Sequence, residues 1–140
     1  MAGKPGPETK LIKKMRDAGT AKYGSRLVVV KHHGGPYSQG GVSDLLCTLD
    51  GVFVACEVKS PEAPAHKRAT VEESILHALT HGPTKLQREF VADVLRAGGT
   101  AGFAATVEHF MVMLACAASL HAPNGWGYTC EGHNLNGVDE

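Results

Sequence analysis

Residues 44–59, with the sequence DLLCTLDGVFVACEVK, predict a β-hairpin that turns at Asp50 and Gly51. Asp-Gly between two runs of apolar and β-branched residues is a strong short-range hairpin signal, and a two-residue turn fixes the register of the strands that it joins. Counting outward from this turn places Asp44 directly opposite Glu57 at the open end of the hairpin. The turn therefore brings two carboxyl groups together.

This pair of carboxyl groups is the first candidate site. Paired residues on neighbouring strands have Cβ atoms roughly 4.5–5.5 Å apart, a separation at which like charges repel. A hard divalent cation that takes oxygen ligands from both carboxylates removes the repulsion, and phosphoryl-transfer enzymes use such a cation. Lys59 shares a face with Glu57 because side chains alternate along a strand. The alternative is an ordinary cross-strand salt bridge on a solvated face.

Both faces of the hairpin are predicted to be covered. One face is continuously apolar and carries Leu45, Cys47, Leu49, Val52, Val54, Cys56 and Val58. The face with the charges also holds apolar side chains, namely Leu46, Phe53 and Ala55. This pattern is typical of a sheet with helices on both sides, and charges at the end of such a sheet favour a functional site.

A helix is predicted before the hairpin. Pro7 suits the first turn of a helix over residues 7–18, and Gly19 is expected to end it. Glu8 falls on the apolar stripe, so its carboxyl is expected to point toward the core. The other members of that stripe are Leu11, Ile12 and Met15.

The segment between this helix and the hairpin predicts a strand over residues 26–31 and a glycine-rich loop over residues 32–41. Glycines permit close approach of the backbone to a ligand, so the loop is expected to contact phosphates through its N–H groups. The alternative is a plain connecting loop.

The chain after the hairpin predicts an insertion, two further helices and a strand. The insertion covers about residues 60–82 and contains a short helix over residues 71–79. Thr84 is the expected N-cap of a helix that stops near Gly98. Gln87 heads its inward stripe, which comprises Phe90, Val91, Val94 and Leu95. A buried strand over residues 100–106, a helix over residues 107–120 and a glycine-rich tail complete the chain.

Length and charge indicate a single domain over residues 1–140 without a net charge. The charge distribution is nevertheless uneven, since basic residues crowd the first quarter of the chain. They are Lys10, Lys13, Lys14, Arg16, Lys22, Arg26, Lys31, His32 and His33. This basic segment is compatible with a phosphate backbone.

Cysteine usage and hydropathy predict a cytoplasmic protein without a membrane span. We expect no secretory signal, and Cys47 and Cys56 are expected to lie inside apolar strands. The apolar run of residues 101–120 is interrupted by Glu108 and His109, which favours a strand and a helix over a bilayer span. A zinc site is an alternative role for other cysteines, although the spacing of its ligands fits no regular Cys₂His₂ pattern. Its ligands would be Cys116, His121, Cys130 and His133.

The order helix, strand, hairpin, helix, strand resembles the PD-(D/E)XK nuclease superfamily. The residues that carry the resemblance are Glu8, Asp44, Glu57, Lys59 and Gln87. Three segments resemble the VRR-NUC family of virus-type replication and repair nucleases more narrowly. They read HGGPY at residues 33–37, GVSD at 41–44 and PTKLQ at 83–87. One departure is Ser43, which stands where the superfamily motif has proline.

The resemblance covers about residues 7–106 and implies an α/β fold. Its restriction-endonuclease-like core has the order αβββαβ, with a mixed central sheet flanked by helices, an insertion at about 60–82, and a C-terminal helix and tail at 107–140. Stand-alone members of the family are commonly encoded by phages. The implied location is therefore the cytoplasm of a bacterium or of a phage-infected host cell.

The resemblance also implies a metal-dependent deoxyribonuclease. Mg²⁺ or Mn²⁺ is expected on Asp44, Glu57 and the backbone carbonyl of Val58, with Glu8 joining directly or through water. Lys59 is expected to hold the attacking water and Gln87 to orient a strand residue, a water or the DNA. The expected DNA contacts are His32, His33, Tyr37, Gln39, Gly41, Ser43 and Lys85.

Relatives imply a homodimer that cleaves branched DNA such as four-way junctions. Two alternatives remain open. One is a nucleic-acid-binding domain without turnover, and the other is a nuclease or nickase that acts on ordinary duplex or flap DNA.

Overall fold

A computed structural model describes residues 6–34, 39–60 and 70–120 of the chain. Its elements are α1 (Pro7–Tyr23), a 3₁₀ turn (Gly24–Arg26), β1 (Leu27–Lys31), β2 (Leu45–Leu49), β3 (Val52–Val58), α2 (Val71–His81), α3 (Lys85–Arg96), β4 (Thr100–Ala104) and α4 (Val107–Ser119). This order contains the predicted αβββαβ order, with α2 inserted and α4 appended. The predicted α/β class is confirmed.

The four strands form one mixed sheet in the order β1-β2-β3-β4. β1, β2 and β3 pair antiparallel, whereas β4 runs parallel to β3. Leu45 pairs with Cys56 and Leu49 with Val52, so the predicted hairpin register is confirmed. Asp50 has φ 51° and Gly51 has φ 84°, the positive values that a two-residue hairpin turn of the mirror-image type requires.

The main core lies between one face of the sheet and the helices α1 and α4. Every member of the predicted apolar face is buried there, together with Ile12, Met15, Phe110 and Leu114. A smaller cluster on the opposite face joins α3 to the sheet through Ala55, Val91 and Ala101, with Leu46, Phe90, Val94 and Phe103 against it. The second face is therefore covered only under α3, because Phe53 is 41% exposed and Val28 and Val30 of β1 are 60% and 54% exposed; the prediction of two covered faces is only partly confirmed.

Two expectations about helix packing are wrong. α1 does not stop at Gly19 but continues to Tyr23, and Gly19 is buried within it. A Cβ at Gly19 would lie 2.9 Å from Leu27 Cδ2, so this glycine permits close packing of α1 on β1. Leu95 does not face the core, since it is 38% exposed. Leu95 lies in the last turn of α3, where its side chain faces solvent.

The apolar run of residues 101–120 folds as most of β4 followed by α4, which confirms the predicted division into a strand and a helix. Among the helices of the described residues, none has both the length and the apolar character needed to cross a bilayer.

Candidate active site

Four side chains converge where β2 begins and β3 ends, and we call Asp44, Glu57, Lys59 and Gln87 the carboxylate centre. Asp44 immediately precedes β2, and its Oδ2 accepts a hydrogen bond of 2.9 Å from the N–H of Val58. The carbonyl of Asp44 accepts another, of 2.7 Å, from the N–H of His32. These bonds tie Asp44 to the strands on either side of it.

Glu57 is the most enclosed member of the centre, with 4% of its surface exposed. Its Oε1 accepts a hydrogen bond of 2.7 Å from Gln87 Nε2, and Lys59 Nζ lies 3.7 Å from the same oxygen. Its Oε2 is buried without a hydrogen-bond partner among the described residues. A buried carboxylate oxygen without a partner is costly, so a ligand for this atom would stabilise the fold.

The electrostatics of the centre also favour a cation. The pKa of Glu57 is raised to about 8, chiefly by burial and then by the charge of Asp44 and a hydrogen bond with its carboxyl, while Lys59 opposes the shift. The single positive charge of Lys59 does not neutralise the two carboxylates of Asp44 and Glu57. A divalent cation between the carboxylates would restore the ionised form of Glu57.

Gln87 couples the start of α3 to this carboxylate. Its backbone N–H donates to Thr84 Oγ1 at 3.2 Å, while its Oε1 accepts from the N–H of Thr84 at 2.9 Å. This reciprocal arrangement is a capping box, which fixes the first turn of a helix. The amide oxygen of Gln87 is thus held by the cap, and its Nε2 is directed to Glu57. Of the expected roles for Gln87, orientation of a strand residue is the one with a direct contact.

Lys59 is held by its backbone and by the end of α2. Its N–H donates to the carbonyl of Ala104 at 2.9 Å, and only 16% of its side chain is exposed. Gly82 follows α2 and lies so close that a Cβ there would be 3.1 Å from Lys59 Cδ. The predicted insertion therefore contributes to the surroundings of the lysine.

Glu8 lies at the margin of the centre. Desolvation of its carboxyl and the charge of Asp44 raise its pKa, while Lys59 and Lys31 lower it. The residue as a whole is exposed, so the expectation that it points into the hydrophobic core is wrong, but its carboxyl lies close enough to Asp44 and Lys59 for their charges to act on it. Among the described residues, no group of three or more His, Cys, Asp and Glu side chains is arranged to hold a metal ion. Direct ligation by Glu8 therefore gains no support, and a contact through water stays a prediction.

The donor set still fits Mg²⁺ or Mn²⁺. Mg²⁺ is commonly bound through one or two carboxylates, water and substrate phosphate rather than by a complete protein cage. Asp44 and Glu57 are the two carboxylates. The N–H of Val58 faces Asp44. Since the N–H and C=O of one strand residue point toward the same neighbouring strand, the Val58 carbonyl also points to the Asp44 side of β3. The buried Oε2 of Glu57 is the atom that most needs a ligand.

The residues expected to contact DNA divide into several groups. His33, Gln39 and Lys85 are exposed and His32 is half-buried, which leaves contacts by these side chains open, whereas Tyr37 lies outside the described residues. Contact of the Gly41 N–H with a phosphate likewise stays a prediction, whereas the expectation for the Ser43 side chain is wrong.

Ser43 and Gly41 serve packing. Ser43 is 1% exposed, so direct contact of its side chain with DNA does not fit its burial. Gly41 has φ +85°, and a Cβ there would lie 2.6 Å from the carbonyl oxygen of Leu86. Only glycine suits both this backbone conformation and this approach. The loop is thereby packed against the start of α3, beside the capping box.

The sequence pattern predicts Thr84 as an N-cap and Gln87 as a site residue, but their reciprocal hydrogen bonds were not predicted, although Thr84-x-x-Gln87 has the spacing of a capping box. It gave no signal for the contact between Gly82 and Lys59. The expected zinc alternative is untested, because His121, Cys130 and His133 lie outside the described residues. Comparisons with family models, curated proteins and solved structures find no match to this chain.

Proposed function

We propose that this chain is a Mg²⁺- or Mn²⁺-dependent deoxyribonuclease that hydrolyses phosphodiester bonds, with branched DNA as its preferred substrate. The observation that carries the proposal is Glu57. Its carboxylate is buried beside Asp44, held by Gln87 at 2.7 Å, faced by Lys59 at 3.7 Å, and has one oxygen without a hydrogen bond among the described residues. A cross-strand salt bridge on a solvated face would not be buried in this way.

Phosphodiester hydrolysis needs an attacking water, neutralisation of charge on the phosphate and a stabilised leaving group. A divalent cation on Asp44 and Glu57 would supply Lewis acidity and a water of lowered pKa. Gln87 keeps Glu57 in the orientation needed to bind that cation. Lys59 carries the positive charge that orients the attacking water and stabilises the charge that develops on the phosphate.

The preference for branched DNA and the homodimeric state rest on the resemblance to VRR-NUC nucleases. The exposed basic residues of α1 support DNA as the polymer, since neutralisation of backbone phosphates drives such binding. Recognition of DNA shape through backbone contacts needs no separate base-reading module.

The test is cleavage of labelled four-way junctions, flaps and duplexes with Mg²⁺ or Mn²⁺ by wild type, Asp44→Asn and Lys59→Met. Loss of a charge-stabilising group worth several kcal/mol corresponds to roughly a thousandfold in rate, so both variants should be nearly inactive. Calorimetry should show that Asp44→Asn loses Mn²⁺ binding while Lys59→Met retains it. Asp93→Asn is the control, because Asp93 is an exposed acid that pairs with Arg96 on α3.

Cleavage by Asp44→Asn within tenfold of wild type would disprove the assignment of the centre. DNA binding by wild type without any cleavage would favour the non-catalytic alternative. Equal cleavage of junction and duplex would favour a nuclease of ordinary duplex DNA.

A further inference from the structure

A second feature with polar chemistry lies outside the carboxylate centre, on the exposed side of α1. An open groove of about 640 Å³ runs between this helix and the end of β1. We call it the α1 groove and define it by Thr9, Lys13, Arg16, Asp17, Thr20 and Lys31.

The groove carries an excess of positive charge. Lys13 pairs with Asp17 at 2.7 Å along the helix, which neutralises the only acid among its lining residues. Arg16 and Lys31 form no ion pair with any other residue in the described ranges. Lys31 also interacts with the charge of Glu8. The lining residues still hold three cations, Lys13, Arg16 and Lys31, against the single acid Asp17, and the hydroxyls of Thr9 and Thr20 add hydrogen-bond donors.

The position of the groove connects it with the carboxylate centre at one end. Thr9 directly follows Glu8 in α1. Lys31 ends β1 and is followed by His32, whose N–H donates to the carbonyl of Asp44 at 2.7 Å. The charge of Lys31 interacts with that of Glu8 at the margin of the centre, so a chain of phosphates that leaves the centre on this side would meet the groove at Lys31.

The shape of the groove decides between a polymer and a small ligand. Sites for small molecules are clefts that enclose most of the ligand surface. The α1 groove is open, and its cations stand on long side chains at its walls. Such walls suit successive phosphates of a backbone, which need charge without enclosure.

We propose that the α1 groove binds the backbone of the DNA segment that flanks the scissile phosphate. This proposal rests on the proposed nuclease function and adds a second contact surface to it. Arg16 and Lys31 provide charge for affinity and register, while cleavage chemistry stays with the carboxylate centre. The contacts are to phosphates, so they favour no base sequence.

The test is binding of a fluorescent four-way junction to Arg16→Gln, Lys31→Gln and the double variant in EDTA over a series of salt concentrations. Each removed phosphate contact should make the slope of log Kobs against log salt less steep by about 0.9. Arg16→Lys should keep the wild-type slope because it keeps the charge. Arg96→Gln is the matched control, since Arg96 is an exposed cation on α3 that pairs with Asp93 and does not line the groove.

A parallel measurement separates this proposal from the nuclease assignment. Bis(4-nitrophenyl) phosphate is too short to reach the groove, so the groove variants should hydrolyse it with Mn²⁺ at the wild-type rate. If the wild type cleaves neither this diester nor DNA, the nuclease assignment fails while the salt slopes still decide the groove. A double-variant slope equal to the wild-type slope would overturn the groove proposal, as would a change in the slope of Arg96→Gln as large as that of Arg16→Gln.

Discussion

At the scale of the residue, Glu57 links stability to pH. In an unfolded chain a glutamate titrates at about pH 4.3, whereas in this fold the pKa of Glu57 is raised to about 8 by burial and then by Asp44. Between these values the folded protein binds more protons than the unfolded chain. The free energy of unfolding must therefore fall as pH rises through this window, and the contribution of Glu57 is fully present only below it.

The first prediction is that metal-free wild type loses thermal stability between pH 5 and pH 8 relative to Glu57→Gln. Glutamine keeps the shape of the side chain but does not ionise, so the melting temperature of the variant should change less with pH across this range. Melting temperatures in EDTA measure the difference. Glu89→Gln should follow wild type, because Glu89 is exposed and pairs with Lys85 at 3.6 Å.

Addition of Mn²⁺ at pH 8 should displace the proton from Glu57 and raise the melting temperature of wild type. A ligand at one hundred times its Kd stabilises the folded state by about 2.7 kcal/mol. Glu57→Gln should gain much less. An unchanged wild-type melting temperature at saturating Mn²⁺ or Mg²⁺ would argue against a shared cation site.

At the scale of the element, the first turn of α3 positions Glu57, because Gln87 in that turn donates a hydrogen bond to its carboxylate. Thr84→Ala removes the N-cap and should cost about 0.5–2 kcal/mol of stability. Gln87→Ala removes half of the capping box and also the 2.7 Å bond to Glu57. Because side chains that orient metal ligands are worth roughly 10–100-fold in metal affinity or activity, Gln87→Ala should lose Mn²⁺ affinity while Thr84→Ala largely retains it.

Calorimetry and thermal unfolding of the two variants separate these effects. Equal losses of Mn²⁺ affinity in Thr84→Ala and Gln87→Ala would mean that the cap alone, and not the bond to Glu57, sets the affinity.

The end of α2 should act on Lys59 in a similar way. In Gly82→Ala the new Cβ would clash with the carbonyl oxygen of Ala78 and lie 3.1 Å from Lys59 Cδ, so the end of α2 and the lysine stem must both shift, which displaces Nζ relative to Glu57. Misplacement of a catalytic group by about 1 Å can cost up to about a hundredfold in rate. DNA cleavage should fall accordingly, with Mn²⁺ affinity unchanged.

Gly6→Ala is the control, because a Cβ at Gly6 meets no atom within 4 Å. Wild-type cleavage by Gly82→Ala would show that α2 does not position Lys59.

The elements that the sequence predicts well are those whose signals are local. The Asp50-Gly51 turn determines the hairpin register, and Thr84 marks the start of α3. The errors arise where a distant partner decides the structure. Gly19 reads locally as a helix stop but is buried against Leu27, and Glu8 occupies the apolar stripe yet remains exposed. The contact between Gly82 and Lys59 joins residues far apart in the chain, so no local pattern announces it.

At the scale of the whole molecule, the proposal of a branched-DNA substrate has to be reconciled with a single carboxylate centre in each chain. Resolving a four-way junction requires cuts in two strands, and a symmetric dimer would present two such centres at a fixed spacing. We therefore expect a homodimer in solution that binds a junction more tightly than a duplex of equal length. Because phosphate contacts dominate the affinity, binding should weaken steeply as salt rises.

Sedimentation of the free protein, together with competition between junction and duplex at fixed salt, measures both properties. If the protein is monomeric and binds the two DNAs equally, the dimeric junction-nuclease proposal is disproved. The metal chemistry would still stand, because Asp44, Glu57 and Lys59 all come from the hairpin of one chain and need no second copy to meet. Oligomeric state and cleavage are for this reason separate tests: the first concerns the choice of substrate, and the second concerns the carboxylate centre itself.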